Sequence, residues 1–421
     1  MINNKIYTTV LFCVILCFPF VNNVLSQTNE GTLGKVDSTS ITEIRIDPRA
    51  ALADSVYAKD VFKSVQYIPL ETTKESVFGK IDQLEITDKY FIVLDSEVTR
   101  VNGRAKSGIM IFDKQGKFHS KIGNIRTGYF ALNYEKSEIV FQDYDSVDWV
   151  FCDFNGKQLR REERLFRFYD FTFLKKDFTA YYRRYYYPNE PYDPLLKRFN
   201  SKHFNLLVLK DYKEVTYKYL PFDTLYKIDR ELLGTNKTFF RSNGENYFVQ
   251  PDDYNVYQLT VEKLAIKYKF VFPLLNSIPV DFHTNSVFIN KRRKFINDNR
   301  NVVYSLGDLY KLSNYLFFTL HSGQVTPESV FFYNLKTSLN TSFATIIPDA
   351  TTFNLPVGKY FLGVNKNYIF SYLSQREIQD IDRKLLGPSS LVEPLPEQVK
   401  RIFNSKNYVG NPLIVKIEMV Q

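Results

Sequence analysis

Cysteine is almost missing from this 421-residue chain, with three copies. Two of them, Cys13 and Cys17, sit in an apolar run near the N-terminus. Without that run only Cys152 is left, so no internal disulfide can form and the folded state must be held by its core. Cys152 itself follows Trp149-Val150-Phe151 and reads as a small buried hydrophobe on a strand. Histidine is as scarce: His119, His203, His283 and His321 are far apart, and neither HExxH nor paired-cysteine spacing occurs, which excludes a sequence-local metal chelate. Gly-x-Ser-x-Gly and P-loop spacings are also missing. No catalytic residue, metal ligand or cofactor is therefore assigned. Adjacent carboxylates such as Asp252 and Asp253 point apart on an extended chain and read as loop residues. Alanine is thin too, with seven copies from Ala58 onward, which argues against a mostly helical fold.

What the chain has in abundance is aromatic side chains. Its 37 Phe and 30 Tyr bring the aromatic share to 16%, a composition that suits strands. The net charge is +9, a balance compatible with nucleic acid, an anionic membrane or an acidic glycan. The charges are spread along the chain, however. The densest clusters, Lys291-Arg292-Arg293-Lys294 and Arg160-Arg161-Glu162-Glu163-Arg164, are short and read as solvated faces. Nucleic acid is not expected as a partner.

The one long hydrophobic run covers residues 10–21, preceded by Lys5 as the single charge and followed by Val24-Leu25-Ser26. This is the pattern of a secretory signal peptide, with cleavage expected after Ser26. Twelve helical residues rise about 18 Å, short of a bilayer core of roughly 30 Å, so no transmembrane span is expected in the mature protein. Leu16 before Cys17 and Phe12 before Cys13 are not lipoprotein cleavage boxes. The expected address is periplasmic or extracellular.

Residues 27–64 are polar and weakly periodic and read as a tether. From Val65 the pattern becomes short apolar or alternating runs broken by Asp, Asn, Gly and Lys, the signature of strands and hairpins. The clearest unit runs from Phe78 to Ile122 and contains the turn Asp113-Lys114-Gln115-Gly116, where Gly supplies a positive φ and Asp bonds the backbone. The same phrase returns at Asp153-Phe154-Asn155-Gly156, and fainter units follow to the C-terminus. The last is a strand short: Tyr360 to Val364, Tyr368 to Tyr372 and Leu413 to Ile417 leave a place that Val65-Gln66-Tyr67-Ile68 can fill. Repeats of four strands at this spacing predict an all-β fold, a six-bladed β-propeller over residues 65–421 closed by the N-terminal strand. Two amphipathic segments, 375–386 and 397–403, predict a small helical insertion at about 375–405.

The phrases Val65-Gln66-Tyr67-Ile68-Pro69-Leu70-Glu71-Thr72-Thr73, Ile111-Phe112-Asp113-Lys114-Gln115-Gly116-Lys117-Phe118 and Asn411-Pro412-Leu413-Ile414 resemble a six-bladed β-propeller family abundant in Bacteroidetes. Its exported or lipid-anchored members look like NHL-repeat and TolB-like propellers. The resemblance implies the ring fold and no particular activity. Where that family commonly has a Gly-Pro-Gly-Glu-Tyr-like turn, this chain reads Gly123-Asn124-Ile125-Arg126-Thr127-Gly128-Tyr129.

The most unusual local composition is Tyr181-Tyr182-Arg183-Arg184-Tyr185-Tyr186-Tyr187 before a Pro-rich loop. Strand alternation places Tyr182, Arg184 and Tyr186 on one face, where rings and a guanidinium can stack on a sugar or peptide. These are the candidate ligand-binding residues. The expected function is a non-enzymatic exported binding or scaffold module for a glycan, peptide or envelope protein. The alternative is an NHL-like metal-dependent hydrolase or lyase with histidines gathered at the ring axis.

Overall fold

The computed structural model describes residues 31–101, 104–146, 148–164, 166–184, 203–222, 237–282, 285–323, 330–381, 395–405 and 408–420. The alternating runs pair into six antiparallel four-stranded sheets. Blade 1 consists of Gln83–Ile86, Tyr90–Val101, Arg104–Asp113 and Phe118–Ile125, and blade 2 of Phe130–Asn133, Glu138–Gln142, Trp149–Asp153 and Gln158–Glu162. Blade 3 follows with Asp170–Lys175, Phe178–Tyr182, Phe204–Lys210 and Glu214–Pro221, and blade 4 with Phe239–Ser242, Glu245–Phe248, Asn255–Leu259 and Leu264–Val271. Blade 5 contains Ser305–Leu312, Tyr315–His321, Val330–Asn334 and Asn340–Ser342. Blade 6 takes Tyr360–Asn365, Tyr368–Leu373 and Leu413–Met419 from the end of the chain and Phe62–Pro69 from its beginning. The first strand of each blade is innermost, and inner strands of successive blades touch around the axis. The molecule is a six-bladed β-propeller, as the repeat predicts.

Closure occurs where expected. Phe62–Pro69 pairs antiparallel with Leu413–Met419, with Val65 opposite Ile417 and Ile68 opposite Ile414. Pro69, which has no N–H to give, ends the strand. The junction is locked by Asn411, fully buried. Its Nδ2 donates to the carbonyls of Glu71 and Ser76 at 2.8 and 3.0 Å, and its Oδ1 accepts the Phe78 amide at 3.0 Å. One side chain near the C-terminus thereby satisfies three backbone groups of the N-terminal loop.

The two matching hairpin turns act as clamps between blades. Asp113 Oδ1 accepts the amides of Gln115 and Lys117, and Gly116 takes φ +84°. A Cβ on Gly116 would overlap the carbonyl of Pro69 in the outer strand of blade 6, whose neighbour Glu71 donates its amide to the Gly116 carbonyl at 2.8 Å. Gly156, at φ +80°, faces Lys121 in the outer strand of blade 1, where a Cβ would lie 3.2 Å from the carbonyl, tight but without overlap.

Blade faces are buried against each other through aromatic rings, which accounts for the composition. Phe91 meets Phe370 between blades 1 and 6, and Trp149 meets Phe171 between 2 and 3. Tyr182 meets Phe248 between 3 and 4, Phe270 meets Phe318 between 4 and 5, and Phe317 stacks on Phe361 between 5 and 6. Such pairs contribute roughly 0.5–1.5 kcal/mol each beyond area burial. Blades 1 and 2 meet instead through Ile92, Leu94, Ile109, Leu132 and Ile139. Cys152 lies in that cluster, 1% exposed, and burial pushes its thiol up to about 12.

The N-terminal segment differs from expectation. Where the sequence reads a polar tether, residues 31–61 wrap the outside of the ring. Thr32–Leu33 adds a parallel strand to the outer edge of blade 3, and Val36–Asp37 and Thr42–Arg45 add to the edge of blade 4. Val56–Tyr57 pairs with Ile346–Ile347 beyond blade 5. An edge strand needs free backbone partners more than an apolar pattern. Here isolated residues such as Ile44 and Ile46, 1% and 4% exposed, provide the buried face. That signal is too brief for periodicity to reveal.

The helical insertion is present as Gln375–Asp380 and Glu397–Asn404, and the residues between 382 and 394 lie outside the described ones. Ser374 and Glu377 form a capping box on the first helix. Phe403 of the second packs edge-on against Tyr67 in the closing strand at 6.1 Å, on the outer surface.

Candidate functional site

The ring encloses a cavity of about 770 Å³ along its axis, lined by the beginnings of the six inner strands and the residues just before them. Every blade contributes: Gln83 and Glu85 from blade 1, Phe130 and Tyr134 from blade 2, Asp170 from blade 3, and Lys237 and Arg241 from blade 4. Tyr304, Asp308 and His321 come from blade 5 and Tyr360 and Phe361 from blade 6. The volume is that of a small-molecule site.

Inner strands do not pair with one another, so their backbone groups need side-chain partners. Gln83 accepts the Phe130 amide at 3.0 Å and donates to the Phe130 carbonyl at 2.7 Å, tying blade 1 to blade 2. Asp170 accepts the amides of Thr238 and Phe239 and the Thr238 hydroxyl, tying blade 3 to blade 4. Burial raises the Asp170 carboxyl above its ordinary range, against these donors, which pull it down. Asp170 and Gln83 therefore serve the ring itself.

The remaining charges face the cavity. Lys237 sits 3.1 Å from Glu85 on the opposite side of the axis, and its Nζ lies 3.5 Å from the Tyr310 hydroxyl. Burial works to lower the Lys237 ammonium, but the Glu85 carboxylate outweighs it and the group is lifted above its usual value. Arg241 lies over the Tyr134 ring at 4.1 Å, and Tyr134 donates to Glu85 at 3.4 Å. Across the cavity, Asp308 occupies a bulge in the first strand of blade 5 with φ +43°, a conformation that a non-glycine residue adopts against strain. Its carboxyl, raised by burial, accepts the Thr319 hydroxyl at 3.3 Å, and that hydroxyl is 3.4 Å from His321 Nε2. Burial depresses His321 to about 4, so the ring is neutral at ordinary pH. Two aromatic surfaces complete the lining: Tyr304, tilted against the His321 ring, and Tyr360, stacked on Tyr372 at 5.1 Å.

Of the three residues singled out from sequence, Tyr182 and Arg184 do not line this cavity. The strand ends at Tyr182, and Arg184 takes φ +50°, so the alternation behind that reading stops there. Tyr182 is fully buried between blades, against Phe248 and Tyr169. Arg184 stacks over Tyr169 at 4.4 Å, at the end of blade 3 where the inner strand begins. Tyr186 lies outside the described residues. Of the charge clusters, Arg160 is no solvated cation: it lies 3.7 Å over the Phe151 ring and pairs with Glu138 and Glu162. His119 is on an outer strand and His283 lies outside the described residues. Among the described residues no group of three His, Cys, Asp or Glu side chains is arranged to hold a metal ion.

The sequence reading missed Lys237, Asp308 and Tyr310. For Lys237 the available signal was positional, because residues at the start of an inner strand face the axis of a propeller. At Gly307-Asp308 the bulge breaks alternation, and the strand over 305–312 is not visible as a period-two run.

The model of a protein family described as a domain of unknown function, DUF4934, matches residues 43–418. No curated protein matches the sequence. Among solved structures, a Bacteroides fragilis protein inferred to be exported is similar over 90% of this chain and 100% of its own, with a TM-score of 0.66 at 14% identity. A member of the DUF4221 family from Bacteroides vulgatus is similar over 86% of this chain and 97% of its own, with a TM-score of 0.43 at 11% identity. The periplasmic gluconolactonase of Pseudomonas aeruginosa is similar over 66% of this chain and 82% of its own, with a TM-score of 0.36 at 8% identity. Among the described residues no helix is long and apolar enough to cross a membrane.

Proposed function

This chain belongs to the DUF4934 family, and we infer that it is an exported, non-enzymatic propeller that binds a carbohydrate or a similar polyhydroxylated ligand in its axial cavity. The observation that carries the reading is the cavity lining. Tyrosine faces at Tyr304 and Tyr360 stand beside the carboxylates of Glu85 and Asp308 and the cations of Lys237 and Arg241, at positions to which all six blades contribute. Aromatic faces take the apolar side of a sugar ring, and carboxylates and cationic donors take its hydroxyls. The leader pattern over residues 1–26 supports export, with the ring from residue 65 as the working domain. Arg184 on Tyr169, at the end of the ring where the inner strands begin, suits an outer contact for a longer glycan or a peptide.

The test is a glycan array followed by calorimetric titration. Binding should fall at least tenfold in Tyr304→Ala or Asp308→Asn and stay unchanged in an outer-strand variant such as His119→Ala. Binding that survives both cavity substitutions would reject the axial site. The second reading, an NHL-like hydrolase or lyase, draws on the Asp308, Thr319 and His321 contacts. Turnover of sugar lactones or glycosides that disappears in His321→Ala would establish it in place of the binding module.

A further inference from the structure

Between Val271, the end of blade 4, and Ser305, the start of blade 5, the chain inserts a block containing the short helices Leu274–Asn276, Ser286–Phe288 and Arg292–Asp298. The block has a small core of its own: the rings of Phe282, Phe288 and Phe295 lie 5.1 to 5.5 Å apart. Arg292, 2% exposed, donates from Nε to the Phe282 carbonyl at 2.9 Å. Asn276 ties the block to the ring by donating to the Asn301 carbonyl and accepting the Val303 amide, both at 2.9 Å. Tyr254 in blade 4 accepts the Ile278 amide at 2.8 Å and donates to the Val303 carbonyl at 2.6 Å. What this block exposes is therefore fixed by the fold.

It exposes the wrong side chains for water. Leu274 is 90% exposed, Leu275 68%, Val280 106% and Val287 63%, four of the five most exposed large hydrophobics among the described residues. Scattered single hydrophobics are ordinary on a surface, but four between residues 274 and 287 of one insertion are a concentration that water does not favour. The same block exposes Lys291, Arg293, Lys294 and Arg300 against two acids, Asp281 and Asp298. A symmetric contact with a second copy would bring these cations onto each other. A soluble acidic ligand would leave the leucines in water.

We propose that this block docks on an anionic lipid bilayer, its leucines and valines entering the headgroup region while its lysines and arginines meet lipid phosphates. Tyr304 leaves the block and lines the axial cavity, so docking turns that end of the ring toward the membrane. The proposal is independent of the ligand in the cavity.

The test is co-sedimentation of the purified full chain with phosphatidylcholine vesicles that contain or lack phosphatidylglycerol, at low and high salt. Binding should require phosphatidylglycerol and weaken with salt. Each basic residue near an anionic surface contributes roughly fivefold, so Lys291→Glu with Lys294→Glu should weaken binding by roughly 25-fold or more. Leu274→Ser with Leu275→Ser should weaken it at both salt concentrations. Lys175→Glu, at the opposite end of the ring, should leave it unchanged. All substituted side chains are exposed, so thermal midpoints should match the parent and separate lost binding from lost folding. No binding, equal binding to neutral vesicles, or binding unaffected by either pair of substitutions would overturn the proposal. So would a leucine-pair variant that loses self-association in sedimentation while its vesicle binding is intact.

Discussion

The ammonium of Lys237 in blade 4 lies 3.1 Å from a carboxylate oxygen of Glu85 in blade 1, directly across the ring. The pair bridges the axis where, among the described residues, no backbone hydrogen bond joins one blade to its opposite. Removing one partner leaves a half-buried charge facing the other side of the cavity, which costs more than removing both. Lys237→Met and Glu85→Gln should each lower unfolding stability by roughly 2–3 kcal/mol, and the double variant by less than their sum. Urea unfolding of the four proteins in a double-mutant cycle measures the coupling.

Gly116 and Gly244 separate two demands that look alike in sequence. Both have positive φ, but a Cβ on Gly116 meets the Pro69 carbonyl whereas one on Gly244 meets nothing within 4 Å. Gly244→Ala should cost about 1 kcal/mol, the conformational penalty alone. Gly116→Ala should cost about 3 kcal/mol because the blade 6 edge must also move. Equal losses in chemical denaturation would show that the clamp contributes nothing.

Asn411→Ala should be among the most damaging single polar substitutions. It leaves the carbonyls of Glu71 and Ser76 and the amide of Phe78 without their partner. Unsatisfied buried groups cost about 1–3 kcal/mol each, partly relieved by water, so a loss of about 3–5 kcal/mol is expected. Asn411→Asp keeps the acceptor and loses both donations, so it should also destabilise, as read from its urea midpoint.

His321 sets an acid limit. Burial holds its folded value near 4, while the unfolded chain titrates near 6.5. Between those values the unfolded state binds the proton and the folded state does not, so stability falls as pH drops from about 6.5 to 4, by up to about 3 kcal/mol. Asp308, raised by burial, works in the opposite sense over its own range, because its folded form holds a proton longer than the unfolded one. Thermal midpoints between pH 4 and 7 should show the slope, and His321→Gln should flatten it.

Deleting residues 1–45 should leave the ring able to close, because the closing strand begins at Phe62. It would uncover the outer edges of blades 3 and 4, which the segment now pairs. Bare edges template further pairing, so the truncated chain should aggregate at concentrations where the parent scatters no light. Ile44→Asp, which buries a charge under the same strand, should reproduce the effect more mildly.

The ring was legible in the sequence because its strands are buried on both faces and its turns repeat. Asp113 to Gly116 and Asp153 to Gly156 predict the same geometry and have it. Closure was legible as well, since a strand was missing from the last unit and Val65 to Ile68 had no other partner. The axial site was not. Which residues share a cavity depends on the order of blades around the ring, so Glu85 and Lys237, far apart in sequence, show no local pattern. Tyr182 in the tyrosine-rich stretch shows the opposite case. Tyr182 reads as a conspicuous surface and is spent on packing against Phe248.

The wrapping of the N-terminal segment also governs the order in which this chain can fold. Thr32–Leu33 pairs with Tyr217 and Lys218, Thr42–Arg45 with residues 268–271, and Val56–Tyr57 with Ile346 and Ile347. A ribosome releases these strands long before the sheets that receive them exist. Until blades 3, 4 and 5 have formed these strands have no edge to pair with. The belt is made before the sheets it fastens to and is paired only after them, a sequence-distant assembly of the kind that slows folding.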